Sequence, residues 1–547
     1  MAKPTQPKRG YDIFLRFGSQ NGRIPILQTP AVCFILSWIS YFMVYFIRRA
    51  QTTTKVSYQK TFGISDLWIG WLDNCYLVPY ALGQTLYPNA VERLGARKAW
   101  TIVLIPSSIC LMLVYLNSNV WAFASILMVV ALCHALVWPA AVKQMENFMT
   151  TAQYELLIPL WMTCCHLGNV AGNLVAAHIL SQKDVDFGCV SITLNSTMEQ
   201  VHNITIEEIA NKSQFGGIDA CLSSPWKLTF LILATVTLCW GIVNAIIMPD
   251  DSPKQMRNMS TINMIDAPFE HSSSSDDECR TPVGDIQISL RSLTSHDNVV
   301  VLSKPESKQL HDTKAHAAPL SMFEILKTTP VAWLLAISSF CTKGTKYWYY
   351  YWSIPFMVHT TQANKTPITE TQAILINTYF DIGAFVGSIA IMPLLKVKCG
   401  TWKLRAATIG CLVCILGLAS LGVLTYLIQR DKIAFFAVEA TTFIFGFAMG
   451  MPDSLYAGIC ASELATYDGR SIRASVSGFA NGFGGFGPFI GSPLSGLIGG
   501  TFGHIWTSAT AFGMLFIGVV SSLFSEIWLG RLRKTYYSRT VSSVDSS

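Results

Sequence analysis

Apolar residues along this chain come in long blocks of about twenty, the length of a helix that crosses a bilayer. Such blocks lie near residues 30–49, 67–90, 99–117, 120–142, 156–180 and 228–248, and again near 331–358, 371–395, 402–427, 433–461, 474–501 and 505–529. Between the sixth and the seventh the pattern breaks. Residues 249–322 are rich in Ser, Asp, Lys and His and contain HSSSSDDEC at 271–279. A stretch so poor in apolar residues cannot bury a core and reads as a disordered linker. The expected organisation is an N-terminal tail (1–29), a six-helix half (30–248), the linker (249–322), a second six-helix half (323–529) and a closing tail (530–547). The expected fold class is an all-α membrane protein with twelve transmembrane helices in two pseudo-symmetric halves. A faint parallel repeat agrees with this division: GWLDNCYLVPYALG at 70–83 corresponds loosely to ILINTYFDIGAFVG at 374–387.

Composition sharpens the membrane reading. Charged residues make up 13% of the chain, about half the roughly 25% of a soluble domain. The net charge of +6 is explained by basic connections between spans rather than by a nucleic-acid surface. Arg93, Arg97 and Lys98, the group Lys396, Lys398, Lys403 and Arg405, the pair Arg470 and Arg473, and the tail residues Arg531, Arg533 and Lys534 all fall on one side. That side is cytoplasmic, with both termini, by the positive-inside rule. Lys55 and Lys60, read as part of the first outer loop, run against it. The outer loop 181–227 carries three glycosylation sequons, at Asn195, Asn203 and Asn211. Cys189 and Cys221 share the loop and either pair in an oxidising lumen or stay as free thiols. The other cysteines lie mostly in apolar runs, and no Cys/His cluster has the spacing of a metal site. The basic N-terminus has no apolar core before residue 30 and is not read as a cleavable signal peptide.

Charges inside apolar blocks are the candidate chemistry, because each costs about 3 kcal/mol or more at the bilayer centre unless it is wet or paired. Lys343 and Lys346 stand within CTKGTKYWYYYWSIP (341–355), three apart on one helix face, with Tyr347, Tyr350 and Tyr351 continuing along it. Either the lysines snorkel to an interface or they form a cationic site walled by phenols. The first block ends YFIRRAQ: Arg48 and Arg49 anchor the helix end, or one of them points inward as a planar fork for phosphate or carboxylate. In the second case the helix must continue past Arg49, through QTTTKVSYQKTF. Tyr45 precedes the arginines by one turn. Asp73 sits in the second block with Tyr80 and Gln84, and Asp381 in the eighth.

These segments resemble a known family. VERLGARK at 91–98 is similar to the loop after the second span of the major facilitator superfamily, with Glu92, Arg93, Arg97 and Lys98 at its gating positions. The second span, WPAAVKQMENF at 138–148, LWMTCCHLGNVAGN at 160–173, CTKGTKYWYYYW, NTYFDIGAFVGS at 377–388 and GFGGFGPFIGSPLSGLIGG at 482–500 occur in the order seen in the eukaryotic sugar-phosphate exchangers. Those exchangers are relatives of the bacterial glycerol-3-phosphate transporter. The resemblance covers about 30–530, apart from the two polar loops. It places the family's phosphate-binding arginine on Arg49 and the exchangers' lysine on Lys343. Lys346 aligns instead with the second binding arginine of the bacterial transporter. His166 lies one or two residues from the family's histidine in the fifth span, so whether it reaches the cavity stays open. The glycine-rich eleventh block lacks the setting and the lysine of a nucleotide loop and reads as a surface for close helix packing.

The resemblance implies a secondary antiporter that exchanges a sugar phosphate or a glycerol-3-phosphate-like ester for inorganic phosphate. Arg49 from one half and Lys343 or Lys346 from the other would clamp the phosphoryl group. Tyr45, Tyr80, Tyr347, Tyr351 and His166 would line the site, and Asp73 and Asp381 would balance its charge. No nucleophile–base constellation is present in the sequence, so no enzyme, cofactor or metal is expected. The expected partners are the organic phosphate, inorganic phosphate and the lipid bilayer. A monomer is the expected transport unit, with room for an accessory subunit. The endoplasmic reticulum or an endolysosomal membrane is the implied location, with the plasma membrane an alternative. A proton-coupled organic-anion symporter with Asp73 or His166 as its proton site, and a transport-dead receptor or scaffold, are the competing readings.

Overall fold

The computed structural model describes residues 30–148, 151–182, 224–249, 327, 329–396, 398–399, 402–403, 406–430, 433–452, 455–460, 464 and 473–545. The predicted linker beyond Pro249, the sequons Asn195, Asn203 and Asn211, and the cysteines Cys189 and Cys221 lie outside the described residues.

The first half begins with α1 (Pro30–Thr53), which runs on past Arg49, and a short α2 (Lys55–Phe62). Gly63 closes α2 in a left-handed conformation (φ 62°), its N–H bonding to Gln59 O; a side chain there would be strained. There follow α3 (Asp66–Leu86), α4 (Pro88–Leu94), α5 (Ala96–Met112), α6 (Val120–His134), α7 (Val137–Phe148), α8 (Thr151–Ser181) and α9 (Pro225–Ile247). The Asn119 side chain caps α6 by accepting from Trp121 N at 2.8 Å. The predicted fourth span is thus two helices, α6 and α7, joined by a turn at 135–136.

The second half comprises α10 (Pro330–Thr360), α11 (Glu370–Lys396), α12 (Ala406–Ile428), α13 (Phe435–Met449), α14 (Arg473–Gly484), α15 (Phe486–Phe502) and α16 (Thr507–Asp545). Between α11 and α12 the two-residue strands β1 (Lys398–Cys399) and β2 (Trp402–Lys403) pair antiparallel, Lys398 opposite Lys403. A π-helical turn, Leu455–Cys460, follows α13. The last helix continues to Asp545, well past the expected end near 529.

Exposure is inverted relative to a soluble protein. Phe436 is 81% exposed and Phe516 60%, while Arg49 is 2% exposed and Lys55, Asp73 and Asp381 are fully buried. An apolar exterior around a polar interior is what a hydrocarbon solvent selects. Six described helices are long and apolar enough to cross a bilayer, among them Ala31–Thr53, Val120–Met145 and Thr408–Ile428. The helix α10 is long enough but is not among them, because it carries Lys343, Lys346 and its tyrosines.

Two contacts join the halves along their length: α3 lies against α15, and α8 against α11. These helices come from matching positions of the expected repeat. Small residues permit the approach. A Cβ on Gly70 would lie 2.8 Å from Pro493 Cα, and one on Gly496 would strike the Asp66 carbonyl. The same device packs α11 on α13 through Gly383 and Gly446, whose added Cβ atoms would strike the backbone carbonyls of Phe443 and Phe380. The glycines of the eleventh block therefore serve helix packing, as expected.

Candidate functional site

At the Thr53 end of α1 the sequence, RRAQTT, is polar apart from Ala50, and the helix is held between both halves. Arg48 and Arg49 are adjacent, so they leave the axis about 100° apart and meet different neighbours. The guanidinium of Arg49 forms an ion pair with Asp381 Oδ2 on α11. The other carboxylate oxygen of Asp381 accepts from Asn169 Nδ2 on α8 at 2.8 Å. His166 lies on the same interface, with Nδ1 3.8 Å from Asp381 Oδ1 and Nε2 3.4 Å from Ser388 Oγ. It is buried beside this ion pair.

Arg48 goes the other way. Its Cζ lies 5.1 Å from the ring centre of Tyr45, 4.8 Å from Tyr76, 5.2 Å from Tyr80 and 5.6 Å from Tyr347. The first three rings belong to the first half and the fourth to the second. Tyr347 stacks on Tyr351 (6.3 Å, 13°), and Tyr80 stacks on Tyr76 (5.7 Å) and accepts from Gln84 Nε2 at 2.8 Å. Aromatic faces attract a cation without neutralising it. Arg48 Nη1 has no hydrogen-bond partner among the described residues.

Lys55 corrects the sequence reading most. It was expected in an outer loop, yet it is fully buried. Its Nζ lies 2.5 Å from Asp73 Oδ2, donates to Tyr351 O at 3.0 Å and sits 4.1 Å from the ring of Trp352. Ser492 Oγ donates to the same Asp73 oxygen at 2.5 Å and accepts from Trp352 Nε1 at 2.8 Å. The pair thus ties α2 and α3 to α10 and α15. A signal was present in the sequence: α1 stays polar through QTTTK, and Asp73 in an apolar helix requires a cation nearby.

The two lysines of α10 part company. Lys343 Nζ reaches into its own half, to Asn481 Oδ1 (2.5 Å) and Asn481 O (3.2 Å) on α14. Lys346 is 7% exposed and lies one turn before Tyr350, whose ring covers Arg49 at 4.6 Å. Further toward the Thr53 side, Glu370 accepts from Ser57 Oγ (2.6 Å), and His504 Nε2 lies 3.3 Å from Asp66 Oδ2; both contacts cross between halves. On the opposite side, Arg97 donates from Nε and Nη2 to Ala245 O (3.0 and 2.7 Å), capping the end of α9, while Arg93 and Lys98 are exposed. The side chain of Glu92 lies outside the described side chains.

On α1 and α2 the site therefore holds two neutralised cations, Arg49 and Lys55, and one cation in a shell of phenols, Arg48. Such a centre suits an anion that accepts several hydrogen bonds.

Comparison with known proteins shows the family. A model of the Major Facilitator Superfamily matches residues 37–468. A protein of Arabidopsis thaliana provisionally named glycerol-3-phosphate transporter 5 is 22% identical over 85% of this chain and 80% of its own length. A sugar phosphate exchanger 3 of Gallus gallus is 20% identical over 87% of each chain, and a glucose-6-phosphate exchanger of Bos taurus is 23% identical over 79% of this chain and 76% of its own. Among solved structures, a bacterial homologue of the human lysosomal transporter Spinster, in an inward-facing and unoccupied conformation, superposes with a TM-score of 0.54 at 14% identity. It covers 95% of this chain and 99% of its own. The helical halves, the cross-half contacts and the matched family model lead to one conclusion: the chain belongs to the Major Facilitator Superfamily and is a multi-pass membrane transporter rather than an enzyme.

Proposed function

We propose that the protein exchanges a phosphorylated organic anion for inorganic phosphate by alternating access. The observation that carries this reading is Arg48, whose guanidinium faces tyrosines of both halves while the neighbouring cations Arg49 and Lys55 are spent on Asp381 and Asp73. The names of the relatives, sugar phosphate exchangers and glycerol-3-phosphate transporters, support the substrate class.

In this reading Arg48 takes the role that the family resemblance places on Arg49. Its planar fork meets two phosphate oxygens, and hydroxyls of Tyr45, Tyr80, Tyr347 and Tyr351 donate to the others. Lys346, on the α10 face beside Tyr347, supplies the second cation once the halves close on the anion, and Lys343 holds α14 in place. The ion pair Arg49–Asp381 and the bonds that the Lys55–Asp73 pair makes to Tyr351 O and Ser492 keep the Thr53 side shut and part when that side opens. Crossing without an anion leaves Arg48 uncompensated against the second half, which favours exchange over leak.

Counterflow in proteoliposomes tests the proposal. Labelled phosphate should enter vesicles loaded with phosphate or glucose 6-phosphate, and Arg48→Ala should abolish this. Uptake that requires a pH gradient and ignores internal phosphate would replace the exchanger with a proton symporter. No flux of any organic anion would leave a receptor or scaffold.

A further inference from the structure

Behind Arg48, on the side away from the second half, lies a small cavity inside the first half. It is lined by Arg48 and Gln51 of α1, Tyr76 of α3 and His134 of α6, together with apolar residues including Leu111 and Phe230. Three nitrogens of these residues, Arg48 Nη1, Gln51 Nε2 and His134 Nε2, are buried and have no hydrogen-bond partner among the described residues. Gln51 is 4% exposed and His134 fully buried. Orphaned polar atoms of this kind are rare and costly, and three around one cavity point to a shared ligand. The room for the centre of a water-sized sphere is about 10 Å³, which is about the least that holds one water.

We infer that this cavity is a binding site for a single water that positions Arg48 for the substrate, and that His134 is the residue that anchors it. The inference rests on the reading of Arg48 as the substrate cation.

The donor and acceptor inventory fits a water. Tyr76 Oη and His134 Nδ1 are 2.9 Å apart. With the imidazole proton on Nδ1, that nitrogen donates to Tyr76 and Nε2 becomes an acceptor. A water then accepts from Arg48 and Gln51 and donates to His134 Nε2, and all three orphaned atoms are satisfied. The hydroxyl proton of Tyr76 is released to point away from His134, toward the neighbouring phenols. A halide would need three donors and more room. His134 thus acts through the water on one edge of the guanidinium and leaves its other edge for phosphate. It is a positioning residue and does not touch the substrate.

The test is phosphate exchange by reconstituted full-length protein carrying His134→Leu, His134→Gln or Gln51→Leu. Loss of one bond to a charged group weakens binding by about tenfold or somewhat more. His134→Leu and Gln51→Leu should therefore each raise KM for phosphate by about tenfold, with the maximal rate nearly unchanged. His134→Gln, which keeps a polar atom at the cavity, should recover most of the loss. A purely structural role would instead lower the maximal rate in proportion to folded protein, and that outcome overturns the inference, as does equal behaviour of the Leu and Gln variants. Exchange by the wild type should not change when chloride is replaced by gluconate; a chloride requirement that His134→Leu removes would overturn the water in favour of an anion. Arg48→Ala, run in parallel, separates the two readings. If exchange survives that substitution, the functional reading falls. If exchange is lost while His134→Leu and Gln51→Leu keep wild-type KM, the water alone falls.

Discussion

Replacing Lys55 by methionine keeps most of the side-chain volume and removes the charge. Asp73 would then be fully buried with Ser492 as its single donor, since its Oδ1 has no hydrogen-bond partner among the described residues. Removing one partner of a buried pair costs about 3–5 kcal/mol, mostly the cost of the charge left behind. That cost falls on the conformation in which α3 is sealed against α15 and α10. When the Thr53 side opens, water reaches Asp73 and the cost lessens. If about 2 kcal/mol of it separates the two conformations, their ratio shifts by roughly thirtyfold. The shift is readable as a distance between spin labels at Lys60 on α2 and Lys365 after α10, which are exposed and on opposite halves. Lys55→Met should add a population at longer distance that is minor or absent in the wild type. The double variant Lys55→Met, Asp73→Met should largely remove that population, because no buried charge remains. An unchanged distribution in the single variant, or a double variant as open as the single one, refutes the view that this pair holds the halves together.

Three other outcomes follow from the same geometry. Arg48→Lys keeps the charge but loses the fork and the flat face against Tyr45, Tyr76, Tyr80 and Tyr347; it should raise KM for phosphate by about tenfold in counterflow. Arg49→Ala should lower the melting temperature of the detergent-purified protein, through the uncompensated Asp381, and adding Asp381→Asn should restore part of it by relieving a cost of about 3–5 kcal/mol. Gly446→Leu drives a side chain into the Phe380 carbonyl and should abolish monodisperse protein in gel filtration, whereas Gly513→Ala, which faces open space, should behave as the wild type.

The sequence by itself determined the class of fold, because the apolar blocks and the polar break at 249–322 are long-range features of composition that no packing detail can reverse. It also marked the residues whose charge must be resolved inside the membrane: Arg48 or Arg49, Asp73, Asp381, Lys343 and Lys346. Which of them meet was decided by tertiary structure. Adjacent arginines differ by about 100° around the helix, and the rotation of α1 is set by where α8 and α9 press on it. This places Arg49 against Asp381 and Arg48 among the phenols. Lys55 looked like a loop residue because its neighbours are polar. It is buried because α1 and α2 run on between the halves, so that polar segment covers Asp73 instead of meeting solvent. The placement of Lys343 likewise follows from α14 lying close enough for Asn481 to take it. Spacing along a helix names the candidates for a buried site. The contacts between helices, each a choice among costly unpaired charges, select among them.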